Sequence, residues 1–383
     1  MHFLNKFLVE LKTFHKFDSY SLTNPDTMRL FTLLAKGTLL VAAVLATFQV
    51  NAQDLHFSQY SSQASLLNPG LVGNYEGSYR LSAIYRNQWT SALGAYGYQT
   101  VGADVDFCLL EGYLKNDKLA IGVGFFNDRS GAAQLTNTSA NLTVAYHKGF
   151  GAEGQHRLSL GLQAAFLQTR IENPLFADQF NGYNETNSNA SREVYAHGVY
   201  RFDFNAGLYW KSNFKDKVKL GVGFGAYHLI TPDQALVTSA TAGTLDHGAV
   251  LPRRYDADLS LEIALDKKGK WSLTPDILYM YQQPFAEYLP GLAATYYFNT
   301  GFRNNNSISV GLRYRSGGST PDAVIPMVKL EFRNVRLGFS YDANVSGLST
   351  STTNRGAFEL SLAYIGESIK SYKANKSLPS RRF

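Results

Sequence analysis

A single cysteine, Cys108, stands among the 383 residues. That excludes an intramolecular disulfide framework and any cysteine-rich zinc site, and Cys108 reads as an ordinary apolar filler. Charge is scarce too, with Lys, Arg, Asp and Glu making up 17% of the chain. The net balance of +6 is too mild to argue for nucleic acid as a partner. Catalytic signatures are missing: there is no Gly-x-Ser-x-Gly elbow, no His-Glu-x-x-His, no P-loop and no Gly-x-Gly-x-x-Gly opening a helix. The alternating glycines of GVGFG at 221–225 precede no helical pattern and read as one face of a strand. The eight histidines are scattered, with no pair at ligand spacing. His147, His156, His197, His228 and His247 fall near expected strand ends or loops and read as surface residues. No cofactor, metal site or enzymatic role is expected, and a membrane lipase built from Ser and His on adjacent strands is the least favoured reading.

Long apolar runs are equally rare, and the one present lies early. From Met28, Arg29 and Lys36 give a basic start, residues 37–48 an apolar core, and Val50-Asn51-Ala52 a small-residue cleavage pattern. Residues 28–52 therefore read as a signal peptide cut after Ala52, leaving Gln53 first. Residues 1–27 (weakly amphipathic at Phe3, Leu4, Phe7, Leu8 and Leu11) are best explained by a start assigned too far upstream. Processing removes five basic and three acidic residues, which takes 36 and 30 down to 31 and 27, a net +4. No apolar run of about 18 residues survives, so no transmembrane helix is expected. A closed barrel of strands remains, since it leaves no unpaired edge in lipid.

What is abundant points the same way. Tyr (24), Phe (25) and Gly (33) are plentiful, as girdled barrels require. The stretch 156–170, HRLSLGLQAAFLQTR, puts Leu158, Leu160, Leu162, Ala164 and Phe166 on one face of an extended segment and Ser159, Gly161, Gln163 and Ala165 on the other. The same alternation recurs from Tyr79 to Tyr364 in runs of roughly nine to twelve residues, long enough for a tilted strand to cross a bilayer. Strands are expected near 79–89, 98–108, 119–128, 137–148, 156–170, 200–211, 217–228, 255–265, 271–282, 288–298, 307–314, 323–332, 335–341 and 356–364. The fold class is thus all-β: a transmembrane antiparallel β-barrel of about fourteen strands, of the outer-membrane type, occupying residues 79–365.

Connection lengths sort as such a barrel demands. With a periplasmic start, the even-numbered connections (109–118, 149–155, 212–216, 266–270, 299–306, 333–334) are short turns, and the longest two, 171–199 and 229–254, face outward. Aromatic residues gather at strand ends (Trp89, Tyr200, Trp210, Trp271, Tyr281, Tyr296, Tyr297, Tyr364), where rings favour the lipid–water interface. Strand charges such as Arg80, Arg86, Asp104, Asp106, Asp203, Asp256, Asp258, Glu262, Lys329, Glu331 and Glu359 should face inward, with opposite signs on neighbouring strands. Residues 53–78 are turn-rich and partly apolar, and belong in the periplasm or the barrel mouth. The basic tail 366–383 reads as a periplasmic extension.

Within this frame the residues resemble a known family. Gln53-Asp54, Phe57-Ser58-Gln59-Tyr60, Asn68-Pro69-Gly70 with Gly73, and Tyr85-Arg86-Asn87-Gln88-Trp89 are similar to the opening of the PorP/SprF family of type IX secretion system membrane proteins from Bacteroidota. Gly70 departs from that family's usual Ala. Further similarities follow in order: Phe126-Asn127-Asp128 with Gly131, residues 312–317 (LRYRSG), and residues 338–342 (GFSYD). The resemblance implies an outer-membrane barrel that contacts outer-membrane lipid, the type IX translocon, periplasmic components and secreted cargo such as adhesins, with gliding motility in some members. It marks Phe57, Ser58, Gln59, Tyr60, Asn68, Pro69, Gly73, Arg86, Gln88 and Trp89 as motif residues, structural or partner-facing. The rival reading is a porin-like diffusion channel for small solutes.

Overall fold

A computed structural model describes residues 54–90, 97–109, 116–151, 154–172, 174, 180–181, 185–186, 195–214, 217–236, 250–298, 306–317, 320–347 and 349–366. The expected signal peptide, the segment before it and the tail beyond Gly366 lie outside the described residues.

Fourteen antiparallel strands close into one barrel. In chain order they are β1 (Tyr79–Gln88), β2 (Tyr98–Leu109), β3 (Lys118–Ser130), β4 (Leu135–Phe150), β5 (His156–Arg170), β6 (Gly198–Phe214), β7 (Val218–Tyr227), β8 (Arg254–Ala264), β9 (Trp271–Gln282), β10 (Phe285–Tyr297), β11 (Ser307–Gly317), β12 (Thr320–Phe332), β13 (Val335–Asn344) and β14 (Arg355–Gly366). Each pairs with its sequence neighbour, and β1 closes on β14 from Tyr79↔Gly366 to Gln88↔Ala357. Every strand thereby finds two partners, which removes the unpaired backbone groups that lipid cannot hydrate. The strands β4, at 16 residues, and β6, at 17, run longer than the alternation suggested. Their extra residues are polar or mixed and so left no apolar signature.

The polarity of the ring is inverted relative to a soluble protein. On β5, Leu160 and Leu162 are 52% and 60% exposed while Ser159 and Gln163 on either side of them are buried. The same holds for Val310 and Leu312 on β11 and for Leu360 and Leu362 on β14. Tyr200, Trp210, Trp271, Tyr281 and Tyr364 stand outward, as interface rings should. Tyr297 does not: it is buried, and its hydroxyl donates to Glu262 at 3.1 Å inside the ring. Its neighbour Tyr296 takes the outward position and packs on Trp271, with ring centroids 4.8 Å apart. Two adjacent aromatics in a strand must point oppositely, so only one of them can join a girdle.

The residues before β1, expected in the periplasm or folded into the barrel mouth, reach deeper than the mouth. Asp54 to Ser78 lie inside the ring rather than below it, as a strap with 3-10 turns at Tyr60–Ser62 and Pro69–Leu71 and a helical turn at Ala64–Leu67. Ser78 N–H bonds the Gly366 carbonyl where β1 begins. Asp54, at the other extreme, reaches Arg254 at the start of β8 and Gln282 at the end of β9. Those residues sit at the end of the ring that carries the two longest connections. The strap therefore runs the length of the lumen, and by the usual sorting of long loops to the outside its Asp54 end is the outer one.

That direction predicts that the Asp54 end of the strap is reachable from outside the cell. An epitope inserted between Gln53 and Asp54 should bind antibody on intact cells. Binding seen solely after permeabilisation would overturn the direction assigned to the strap.

Candidate functional site: the strap and its anchorage

The strap is held by the motif residues themselves. At its centre, the Glu359 carboxylate on β14 accepts the successive backbone N–H groups of Ser58 and Gln59, at 2.7 and 2.8 Å on separate oxygens. Arg86, directly opposite Glu359 across the β1–β14 pair, pairs with that carboxylate and with Asp342 at 3.0 Å. The Ser58 hydroxyl donates to Asp342 at 2.8 Å and accepts from Arg86 at 3.1 Å and Arg315 at 3.0 Å. One hydroxyl thus uses its single hydrogen and both lone pairs. Arg313 donates to the Ser58 carbonyl at 2.7 Å, pairs with Asp276 at 2.6 Å and lies 4.0 Å over the Tyr60 ring. Each buried charge here has an opposite charge or a strap dipole, the condition under which burying it is tolerated.

The remaining motif residues fit the strap to the wall. Phe57 packs against Ile84 and Phe126. The Gln59 amide donates to Ser340 and accepts from Ser361 at 2.8 Å; a side chain in place of Gly338 would collide with both Gln59 and Ser361. Asn68 accepts from Gly70 N–H at 2.8 Å and donates to the Leu208 carbonyl at 3.0 Å. Beneath Asn68 and Pro69, Gly161 and Gly207 stand opposite each other on β5 and β6. A Cβ on either would overlap the strap backbone or the Asn68 side chain. Gly73 has φ +78° and any Cβ there would strike Ala120, so only glycine serves. Gly70 explains its departure from alanine less well: a Cβ there would stand 3.1–3.3 Å from Asn68, Gly207 and Ser159, tight but reachable by a small shift. Gln88 accepts from Arg86 at 3.2 Å, and Trp89, at φ +59°, stacks edge-on to Tyr98 just past β1.

An apolar seat completes the fit. Tyr60, Ala64, Leu67 and Leu71 of the strap pack on Leu278, Leu289, Ala293, Ala323, Ile325 and Met327 of β9, β10 and β12. Farther in, Ser65 bonds Asp104, Gly73 N–H donates to Asp106 at 2.7 Å, and Arg80 pairs with Asp106. Cys108 is part of this inner anchorage, its Sγ 3.4 Å from the Gly73 carbonyl. Opposite signs do face each other on neighbouring strands at Arg86–Glu359, Arg80–Asp106, Lys219–Glu262 and Arg336–Glu331.

Two histidines read from the sequence as surface residues are buried in this system. His147 contacts Ser159 at 2.6 Å and the strap carbonyl of Val72 at 2.8 Å. His228, immediately after β7, lies between Asp54 (2.6 Å) and Asp203 (2.7 Å). Nothing in the spacing of the histidines signalled this, because the contacts that bury them, Val72 and Asp54, come from the strap, 75 and 174 residues away in sequence. Burial alone would lower the His228 pKa, but the Asp54 and Asp203 carboxylates more than offset it and push it up to about 9. Burial would likewise raise Asp54, yet His228 and Arg254 hold it well below the usual carboxylate range.

Residues 49–364 match the family described as "Type IX secretion system membrane protein PorP/SprF". The chain belongs to that family. No curated protein matches the chain. Among solved structures it is similar to the Pseudomonas putida toluene transporter TodX (9% identity, 83% of this chain and 99% of that one, TM-score 0.46). It is also similar to a Pseudomonas aeruginosa FadL homologue (9%, 79% and 93%, 0.46) and to the Ralstonia pickettii toluene transporter TbuX (10%, 80% and 93%, 0.44). These likenesses are of fold alone. Every block of the family pattern named above except Phe126-Asn127-Asp128 and Gly131 contributes a residue to the strap or its central polar cluster, although the blocks lie up to 285 residues apart. Phe126 joins through Phe57.

Two outcomes are expected. Arg86→Ala leaves Glu359 without its cation and should destabilise the barrel by roughly 3–5 kcal/mol, read as a lower temperature for heat-induced loss of the compact form on gels; an unchanged temperature would contradict the anchorage. The outer latch should be pH-dependent. With a folded-state pKa above its ordinary 6.5, His228 contributes stability fully below 6.5 and loses it as pH rises through about 9. Asp54, depressed, contributes above its ordinary 3.8 and loses this only in strong acid. A spin label at Leu55 should therefore become mobile above pH 9 in the native protein, and His228→Gln should abolish that step.

Proposed function

We propose that this protein is a non-enzymatic accessory barrel of type IX secretion that assists export or surface attachment of particular cargo proteins, adhesins among them, and gliding motility where such cargo drives it. The supporting observation is the lumen: the bore is occupied along its length by the chain's own residues 54–78. A barrel filled in this way suits a scaffold that presents surfaces at its two ends better than it suits a conduit. Export through a signal peptide cleaved after Ala52 belongs to the same reading. So does a role for the connections 171–199 and 229–254 in meeting cargo, and for the basic tail in meeting translocon or periplasmic components. The resemblance also admits a partner-facing role for the strap. Its motif residues are instead engaged with one another, which leaves the connections and tail for partners.

Deleting the gene should strand a subset of secreted cargo inside the cell while sensitivity to small toxic solutes stays unchanged. Normal surface cargo in the deletion strain would sink the proposal. In planar bilayers the purified protein should be electrically silent and a variant lacking residues 54–78 should conduct; steady conductance by the intact chain would favour the diffusion-channel reading.

A further inference from the structure

The periplasmic end of the lumen carries positive charge that the described residues do not match. Lys118 opens β3, Arg157 is second in β5, Lys211 lies near the end of β6 and Lys219 is second in β7. All four lie on the lumenal face at the end where the strap leaves the ring. Among the described residues their ion-pair partners are two carboxylates, Glu76 of the strap and Glu262 of β8. Glu262 is committed: Lys219 donates to both its oxygens at 3.2 Å and the Tyr297 hydroxyl adds a third bond. Glu76 is shared loosely, 3.9 Å from Lys118 and 3.9 Å from Arg157.

Lys211 is left with no ion-pair partner among the described residues: the Glu76 carboxylate attracts it from a distance, and Arg157, Lys219 and Lys118 repel it. The Nε–H of Arg157 is buried without an acceptor, and the residue as a whole is 8% exposed. Arg157 and Lys211 are moreover directly opposite each other in the β5–β6 register. Like charges in that relation repel. The other charges that stand directly opposite each other in the described register, Arg86–Glu359, Arg80–Asp106, Lys219–Glu262 and Arg336–Glu331, are of opposite sign. Among the described residues, a buried donor without an acceptor and three cations around the one Glu76 carboxylate focus potential for an anion.

We propose that this niche holds the carboxylates of an acidic peptide segment from a periplasmic partner. An arginine fork flanked by ammonium groups is suited to oxyanions. The four cations stand on the lumenal face of the wall, which lipid headgroups do not reach. The strap fills the lumen beyond it, so an occupant enters by side chains or a chain end. That the partner is a secretion component rests on the preceding section; the anion binding does not.

The test uses the full chain purified in detergent. Hexaglutamate should bind saturably at low salt, hexaglutamine should not, and Lys211→Met or Arg157→Gln should weaken binding about tenfold or more. Lys211→Met should also raise the unfolding temperature, because it removes a charge in conflict with Arg157; a lysine with a purely structural role would give the opposite. Absence of hexaglutamate binding, binding indifferent to both substitutions, or equal affinity for inorganic phosphate would each overturn the proposal. Normal cargo export in the deletion strain would overturn the secretion reading and leave these binding results standing.

Discussion

The protein depends on matching a polar lumen with something polar enough to fill it. A closed ring with its apolar side chains turned to lipid has no choice but to gather charge and hydrogen-bonding groups within. Glu359 shows how that demand is met. It is fully buried, and it is made tolerable by one guanidinium and two backbone N–H groups of the strap. Removing the strap would strand Glu359, Asp342 and three arginines together. The strap is thus part of the interior, as a core is part of a soluble domain, with the polarity reversed.

The same logic accounts for where glycine occurs. A helix or loop seated on a sheet usually rests on side chains, with the backbones held about 10 Å apart. Here the Asn68-Pro69-Gly70 turn lies almost on the backbone of β5 and β6, because Gly161 and Gly207 present nothing between. Gly291 does a related service away from the strap. It stands between Asp276 and Arg313 in the β9–β10–β11 register, and its missing side chain lets that pair meet across an intervening strand. Alternating glycines that look like a featureless strand face are therefore the imprint of what the lumen contains.

Much of the wall was legible in the sequence because it follows from a period of two. Leu158 to Phe166 face out, Ser159 to Ala165 face in, and no distant residue can change that parity. The strap was not legible for the converse reason. Its turns, short apolar run and polar residues look like any loop, and its partners Glu359, Asp342 and Asp106 reveal themselves only when strands far apart in the chain become neighbours. His147 and His228 were misread on the same ground: position near a strand end suggests exposure, but the strap passes both. The family motifs carried the missing information. Ser58, Arg86, Arg313, Arg315 and Asp342 form one cluster, so a pattern that looks like a scatter of signatures is a single contact surface read along the chain.

Charge compensation is uneven along the lumen, and the unevenness has a direction. Around Ser58 donors and acceptors are closely matched, and the Asp54–His228–Arg254 latch closes the outer end. At the inner end the strap offers one carboxylate, Glu76, to Lys118, Arg157 and Lys211 together, and Lys211 stands directly opposite Arg157 in the register. Nothing in barrel geometry demands this. Exchanging Lys211 for a neutral residue would leave the strand pairing intact, since the ladder is made by backbone groups alone. A barrel whose other directly opposed charges are of opposite sign, and which sets Arg157 against Lys211 at the face turned toward the periplasm, is organised for contact at that face, and the outer latch ensures that whatever docks there meets a strap already pinned from the other side.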